Sequence, residues 1–266
     1  YESNQIAVQN HSWGNAAVNQ LEPSLAEQMS VSNAATLGRN GRGVVIVRSG
    51  GNNRENGGNT NDDGYPNVPH VIAVAAIRED GRAASYSNPG ACLLVGAPSG
   101  DTGARMLTTT DRLGNIGFNR NNSIGDLSDY AFGGTGFSGT SGAAPQISGV
   151  AALVISANPN LTARDVQQIL LHSARQRDAA DPDARENGAG FVFSHNSGFG
   201  VPDAGQAVRL ALNWPNRPPV VTRLVYTANL QQAIPDDGLR VALQGGAPAS
   251  VASIPSTPSV GLVPDE

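Results

Sequence analysis

The chain has 266 residues, 32 of them Gly, with 39% hydrophobic and 15% charged residues and a formal net charge of −5. Gly at about 12%, against about 7% on average, but without a Gly-X-Y period, excludes collagen, and the sparse charge excludes a coiled coil or a disordered polyelectrolyte. An acidic balance without a clustered basic face speaks against nucleic-acid binding, and no apolar run approaches the roughly 20 residues of a membrane span.

In chain order, Ile6–Val8 and Gly43–Val47 read as short buried strands, the second running into Ser49-Gly50-Gly51-Asn52. Between them the spacing of Leu21, Leu25, Met29, Ala34 and Leu37 predicts a helix over residues 21–37. The run VIAVAAI at Val71–Ile77 predicts a strand covered on both faces. Cys92, the only cysteine, lies in the run ACLLVGA and reads as a buried small hydrophobe. It permits neither an intrachain disulfide nor a Cys-based metal site, and it fits a bacterial extracellular or periplasmic protein while also being compatible with a cytosol. Val150–Ala157 is apolar all round inside the Gly/Ala-rich stretch 142–157, which predicts a buried helix stopped by Asn158-Pro159. Thr162 with Asp165 resembles a capping box for the next helix, whose apolar face is Val166, Ile169 and Leu170.

Strands alternating with helices imply an α/β fold with a largely parallel sheet flanked by helices. The composition breaks at Trp214. Residues 215–266 hold eight of the 17 Pro and only short strand-like pieces, so residues 214–266 are expected to be a Pro-rich linker and the start of a small β module.

The most informative stretch is Phe137–Gly149, FSGTSGAAPQISG. It sets Ser141 in a Gly-flanked turn feeding the small-residue helix, with Pro145 expected in the first turn. A serine there lies at the positive end of a helix dipole beside backbone N–H groups, which suits a nucleophile whose attack creates an oxyanion. Taken alone, it would more readily be an N-cap serine.

The match is longer than one serine. Gly139, Thr140, Ser141, Ala143, Pro145, Gly149 and Ala152-Leu153 resemble the serine motif of the subtilase (subtilisin/kexin) family, which implies a subtilisin-like fold with Ser141 as nucleophile. Ile6–Gly14, IAVQNHSWG, resembles the family's strand whose end, here Ser12, Trp13 and Gly14, pairs with an extended substrate. Val44–Asn52 resembles the strand ending in Gly-Asn. Gly50 and Gly51 would then line the substrate cleft, and Asn52 would donate to the oxyanion beside the Ser141 N–H. Segments around Asp63–Pro66, Ser85–Asn88 and Thr109–Gly114 also fit, as does Phe193–Val208, with its kexin-like Ser-His-Asn. The resemblance covers residues 1–213 as the C-terminal part of a catalytic domain, with a P-domain-like β module starting beyond it.

Two departures shape the expected function. The family's triad runs Asp, His, Ser along the chain, and His11, His70, His172 and His195 all stand outside a His-Gly-Thr setting. The triad Asp and His are therefore expected from a segment upstream of this chain, which alone should be inactive. The alternative is a degenerate subtilase that binds peptides without cleaving them. As for specificity, Asp63 matches one acid of the kexin pocket for basic side chains. Asn15-Ala16-Ala17 replaces the other acid, and Arg48 near the pocket wall would oppose a cation. Gly58 and Asn88 stand where the branch places acidic calcium ligands, so metal ligands stay unassigned. Ca2+ enters this expectation only as a structural ion, with none needed for the chemistry.

Overall fold

The computed structural model describes residues 2–14, 22–113, 116–120 and 129–217. Its centre is the run VIAVAAI, every residue of which is buried. Four strands, β1 (Val8–His11), β2 (Val45–Ser49), β3 (Val71–Ile77) and β4 (Leu93–Pro98), form a parallel sheet in the order β1-β2-β3-β4. Strands β1 and β2 each begin two residues later than the apolar runs suggested. The helices are α1 (Leu25–Gly41), α2 (Thr140–Ala157), α3 (Ala163–Ser173) and α4 (Ala204–Leu212). The expected parallel α/β sheet flanked by helices is therefore what forms.

Because side chains alternate along a strand, β2 feeds two cores. Val45 and Val47 join Ile72, Val74 and Val95 under Ala143, Ala144, Ile147 and Ala151 of α2, with Val166, Ile169 and Leu170 of α3 behind them. Val44 and Ile46 face the other way, toward Val31 of α1 and Tyr65. Helix α2 packs against all four strands, an approach its Gly/Ala composition allows. The Thr162–Asp165 capping box forms as expected. Gly43, at φ +79°, links α1 to β2 where a Cβ would land on the Ala35 carbonyl; only glycine combines that φ with that contact.

Three expectations are corrected. Helix α1 starts at Leu25 behind a Ser24–Glu27 capping box and buries Val31, while Leu25, Met29 and Leu37 are exposed. The spacing identified the helix, but of the residues it picked out only Ala34 turns inward, joining Val31 against Ile46, while Leu25, Met29 and Leu37 face solvent. Leu21 lies outside the described residues. Helix α2 is buried on one face only: Leu153 is exposed, as are Pro145, Gly149 and Ala152. Since α2 begins at Thr140, Pro145 is its sixth residue and not part of the first turn. Its missing N–H therefore frees the Ser141 carbonyl from the helical ladder.

Two compact units divide the chain, residues 1–217 and 218–266. Trp214 belongs to the first unit, where Trp214 Nε1 (3.2 Å) and the Arg217 N–H (2.9 Å) both donate to the buried Asp165. From residue 218 onward the expected β module lies outside the described residues. No helix among the described residues is long and apolar enough to cross a membrane.

Candidate active site

In a parallel sheet the strand C-termini all open onto one edge, where ligand-binding loops collect. Here the ends of β1 and β2 meet the first turn of α2. The loop Gly50–Asn52 leaves β2 with Gly50 N–H bonded to Val74 O (2.9 Å). Gly51 takes φ +102° and donates its N–H to Thr140 Oγ1 (3.1 Å). Asn52 Oδ1 accepts from both Thr140 N–H (2.9 Å) and Thr140 Oγ1 (2.7 Å). With its oxygen anchored, the amide turns Nδ2 toward the serine turn, 3.4 Å from where a Cβ on Gly139 would stand.

That turn is braced from β4 and the preceding loop. Gly139, at φ +100°, is the N-cap of α2. Its N–H donates to Tyr86 Oη (2.7 Å), and its carbonyl accepts from Ser99 Oγ (2.8 Å). Burial raises the Tyr86 phenol above its ordinary value, keeping it neutral. Thr140 N–H is committed to Asn52 and Gly142 N–H to Gly139 O (3.0 Å). The Ser141 N–H is therefore the first-turn donor with no hydrogen bond among the described residues, and it lies at the positive end of α2.

Ser141 Oγ donates to the Ser12 carbonyl (3.3 Å), and Ser12 Oγ donates back to the Ser141 carbonyl (3.0 Å). The second bond fills the place that Pro145 leaves empty, so a Ser on the β1 end and a Pro in α2 are one device. Asn10 extends it, donating to Ser12 Oγ (2.8 Å) and accepting from Ser148 Oγ (3.0 Å). Trp13 and Gly14 continue from Ser12 across the mouth of the sheet, with Ser49 Oγ bridging to the Trp13 carbonyl (3.4 Å).

Beneath them lies Arg48, fully buried, with its guanidinium 4.1 Å from the Trp13 ring centroid and 4.5 Å from that of Tyr65. Its Nη2 pairs with Asp63 Oδ2 at 2.8 Å. Asp63, expected to receive a basic substrate side chain, is thus joined to a cation of its own chain. Burial, and then the Arg48 charge, hold the His11 imidazole below its ordinary value.

Sequence reading thus singled out Ser12, Trp13, Gly14, Gly50, Gly51, Asn52, Asp63 and Ser141, and these meet along one sheet edge. It missed Tyr86 and Ser99 as braces and the link between Arg48 and Asp63. None of the four histidines hydrogen-bonds Ser141 among the described residues. The presumed calcium position does not fit the ion: Asn88 Oδ1 accepts from the Asn53 N–H (2.7 Å), and a Cβ on Gly58 would press on that same oxygen. No group of three or more His, Cys, Asp or Glu among the described residues is arranged to hold a metal.

This geometry has relatives. A serine protease of Aeromonas sobria superposes with a TM-score of 0.73 at 27% identity, over 86% of this chain and 48% of that one. Proprotein convertase subtilisin/kexin type 7 of Mus musculus is 31% identical over 214 residues, 80% of this chain and 26% of its own length. A protein named calcium-dependent protease, from Trichormus variabilis, is 34% identical over 218 residues, 80% of this chain and 31% of its own length. The chain spans less than half the length of each of these three proteins. A model of the subtilase family matches residues 1–200, the same residues that build the sheet, the Gly50–Asn52 loop and the Ser141 turn, and the chain belongs to that family.

Proposed function

We propose that this chain is the C-terminal part of the catalytic domain of a kexin-like serine endopeptidase, and that the intact protease hydrolyses peptide bonds through an acyl-enzyme on Ser141. The observation that carries the reading is the pair of donors beside Ser141: its own N–H, without a hydrogen bond among the described residues, and the Asn52 amide, turned toward the turn by Thr140. An extended peptide or protein substrate would lie along Ser12–Gly14 and Gly50–Gly51. Ser141 Oγ attacks the scissile carbonyl carbon while its proton passes to a histidine, and the two donors hold the oxyanion. Collapse expels the amine, which takes that proton, and water then hydrolyses the ester by the same route.

The histidine and its orienting Asp are assigned to a segment upstream of this chain. The uncovered apolar face of α2 beside β1, which pairs only with β2 among the described residues, supports a further layer packing there. We assign no nucleic-acid partner and no chemical step to a metal. A structural Ca2+ would have to be held away from Gly58 and Asn88. Export from the cytoplasm belongs to the same reading, since a lone cysteine makes no structural disulfide yet tolerates an oxidising compartment. One observation favours a binding module instead: Ser141 Oγ is engaged with Ser12 and with no histidine.

A fluorophosphonate probe decides between them. In the intact protease it should label Ser141, mapped by mass spectrometry, and Ser141→Ala should abolish both labelling and peptide hydrolysis. The 266-residue chain alone should do neither. An intact protease whose Ser141 stays unlabelled would refute the enzyme reading and leave the binding module.

A further inference from the structure

Arg48 is the largest fully buried side chain among the described residues, and its charge sits next to the peptide-binding edge. Trp13 and Tyr65 cover its two faces, and Gly14 leaves the Nη2 side next to Asp63 without a side chain of its own. A Cβ placed there would stand 3.7 Å from both Arg48 Nη2 and Asp63 Oδ2, so position 14 itself puts no side chain against the ion pair. Gly14 follows by two residues the Ser12 whose carbonyl accepts from Ser141 Oγ. A peptide laid along Ser12–Gly14 with a carbonyl at Ser141 therefore has a side chain close to this pair.

The pair is asymmetric in what it still offers. Asp63 is engaged on both oxygens, Oδ2 with Arg48 and Oδ1 with the Tyr65 N–H (3.2 Å). Arg48 is stacked between Trp13 and Tyr65, yet its Nε and Nη1 are buried with no hydrogen-bond partner among the described residues. Buried guanidinium donors without acceptors are costly to keep, and an incoming carboxylate makes with them the stronger, charge-assisted kind of bond. An incoming Lys or Arg would meet a like charge, and the acid that could receive it is already neutralised.

We propose that the Arg48–Asp63 pair makes this pocket anion-accepting and cation-rejecting, so that the substrate residue on the acyl side of the scissile bond carries a carboxylate. This rests on the peptide-recognition reading above, and it reverses the basic preference that the kexin resemblance implies.

The test is calorimetric binding of short peptides ending in Glu, Leu or Arg to the intact protein carrying Ser141→Ala. The Glu peptide should bind at least about tenfold tighter than the Arg peptide, with Leu between, as expected when one partner gains charged hydrogen bonds and the other meets repulsion. Arg48→Met should reverse that order. Asp63→Asn, which keeps the buried cation, should tighten the Glu peptide further and covers the case in which Arg48→Met fails to fold. Equal or tighter binding of the Arg peptide, no binding of any peptide, or a Glu-peptide affinity unchanged by Asp63→Asn would overturn the proposal. In the parent protease with Ser141 in place, hydrolysis with an Arg preference would sink the pocket assignment but not the enzyme, whereas Glu-selective binding without hydrolysis would do the opposite.

Discussion

Thr140→Val removes one oxygen from the site and almost no volume. Thr140 is fully buried, and its hydroxyl both donates to Asn52 Oδ1 and accepts from the Gly51 N–H. Losing a neutral hydrogen bond costs about 1 kcal/mol, and stranding a half-buried N–H costs about 1–3 kcal/mol more, so a loss of about 2–4 kcal/mol is expected. For a unit of this size that corresponds to a Tm lower by about 4–16 °C. Thr140→Ser is the control. It keeps both bonds and gives up one methyl, worth about 0.8 kcal/mol. Urea unfolding followed by near-ultraviolet circular dichroism separates the two. In the intact protease Thr140→Val should also lower kcat by about tenfold with little change in KM. Deleting such a donor outright costs about 10²–10³ in a subtilisin, whereas here Thr140 N–H still anchors the amide. Valine and serine variants of equal stability, or a valine variant that raises KM and spares kcat, would refute the assignment of Thr140 as the anchor of Asn52.

Two further outcomes follow from buried ionisable groups. Asp101 is almost fully buried; burial alone would raise its carboxyl, but the Ser85 N–H, the Ser85 hydroxyl, the Thr102 N–H and then Arg78 together hold it below the usual range. A depressed carboxyl contributes stability that is complete above the unfolded value of about 4 and lost as pH falls through the folded value. The urea midpoint should therefore fall more steeply below about pH 4 in the parent than in Asp101→Asn; parallel acid profiles would contradict the role. The Cys92 thiol is pushed up to about 12 by burial. At pH 8 the folded chain should thus alkylate with iodoacetamide roughly 10³-fold more slowly than the urea-unfolded chain, in proportion to the thiolate present. Comparable rates would show Cys92 to be open to solvent.

Read as a sequence, the chain settles what short-range physics controls. The seven apolar residues of Val71–Ile77 can only be comfortable with both faces covered, and they form β3. Thr162 and Asp165 are three residues apart and cap each other at the start of α3. The Gly-Thr-Ser turn before a small-residue helix needs no distant partner to be recognised, and it opens α2. What tertiary structure alone decided are the partners. The stripe through Leu25, Met29 and Leu37 has good helical spacing, yet Val31 is the residue that meets the sheet. Ser12 and Ser141 bond across 129 residues of chain because Pro145 frees a carbonyl exactly one turn below itself in α2, opposite the end of β1. Tyr86 reaches Gly139 across 53 residues, with no local pattern to announce it. Arg48 and Asp63, a basic and an acidic residue on separate segments, become one neutral pair only when the sheet brings the end of β2 under Gly14. Periodicity and capping act within a few residues and survive in the sequence; which charge meets which, and which face is covered, depends on packing between segments that the sequence lists far apart.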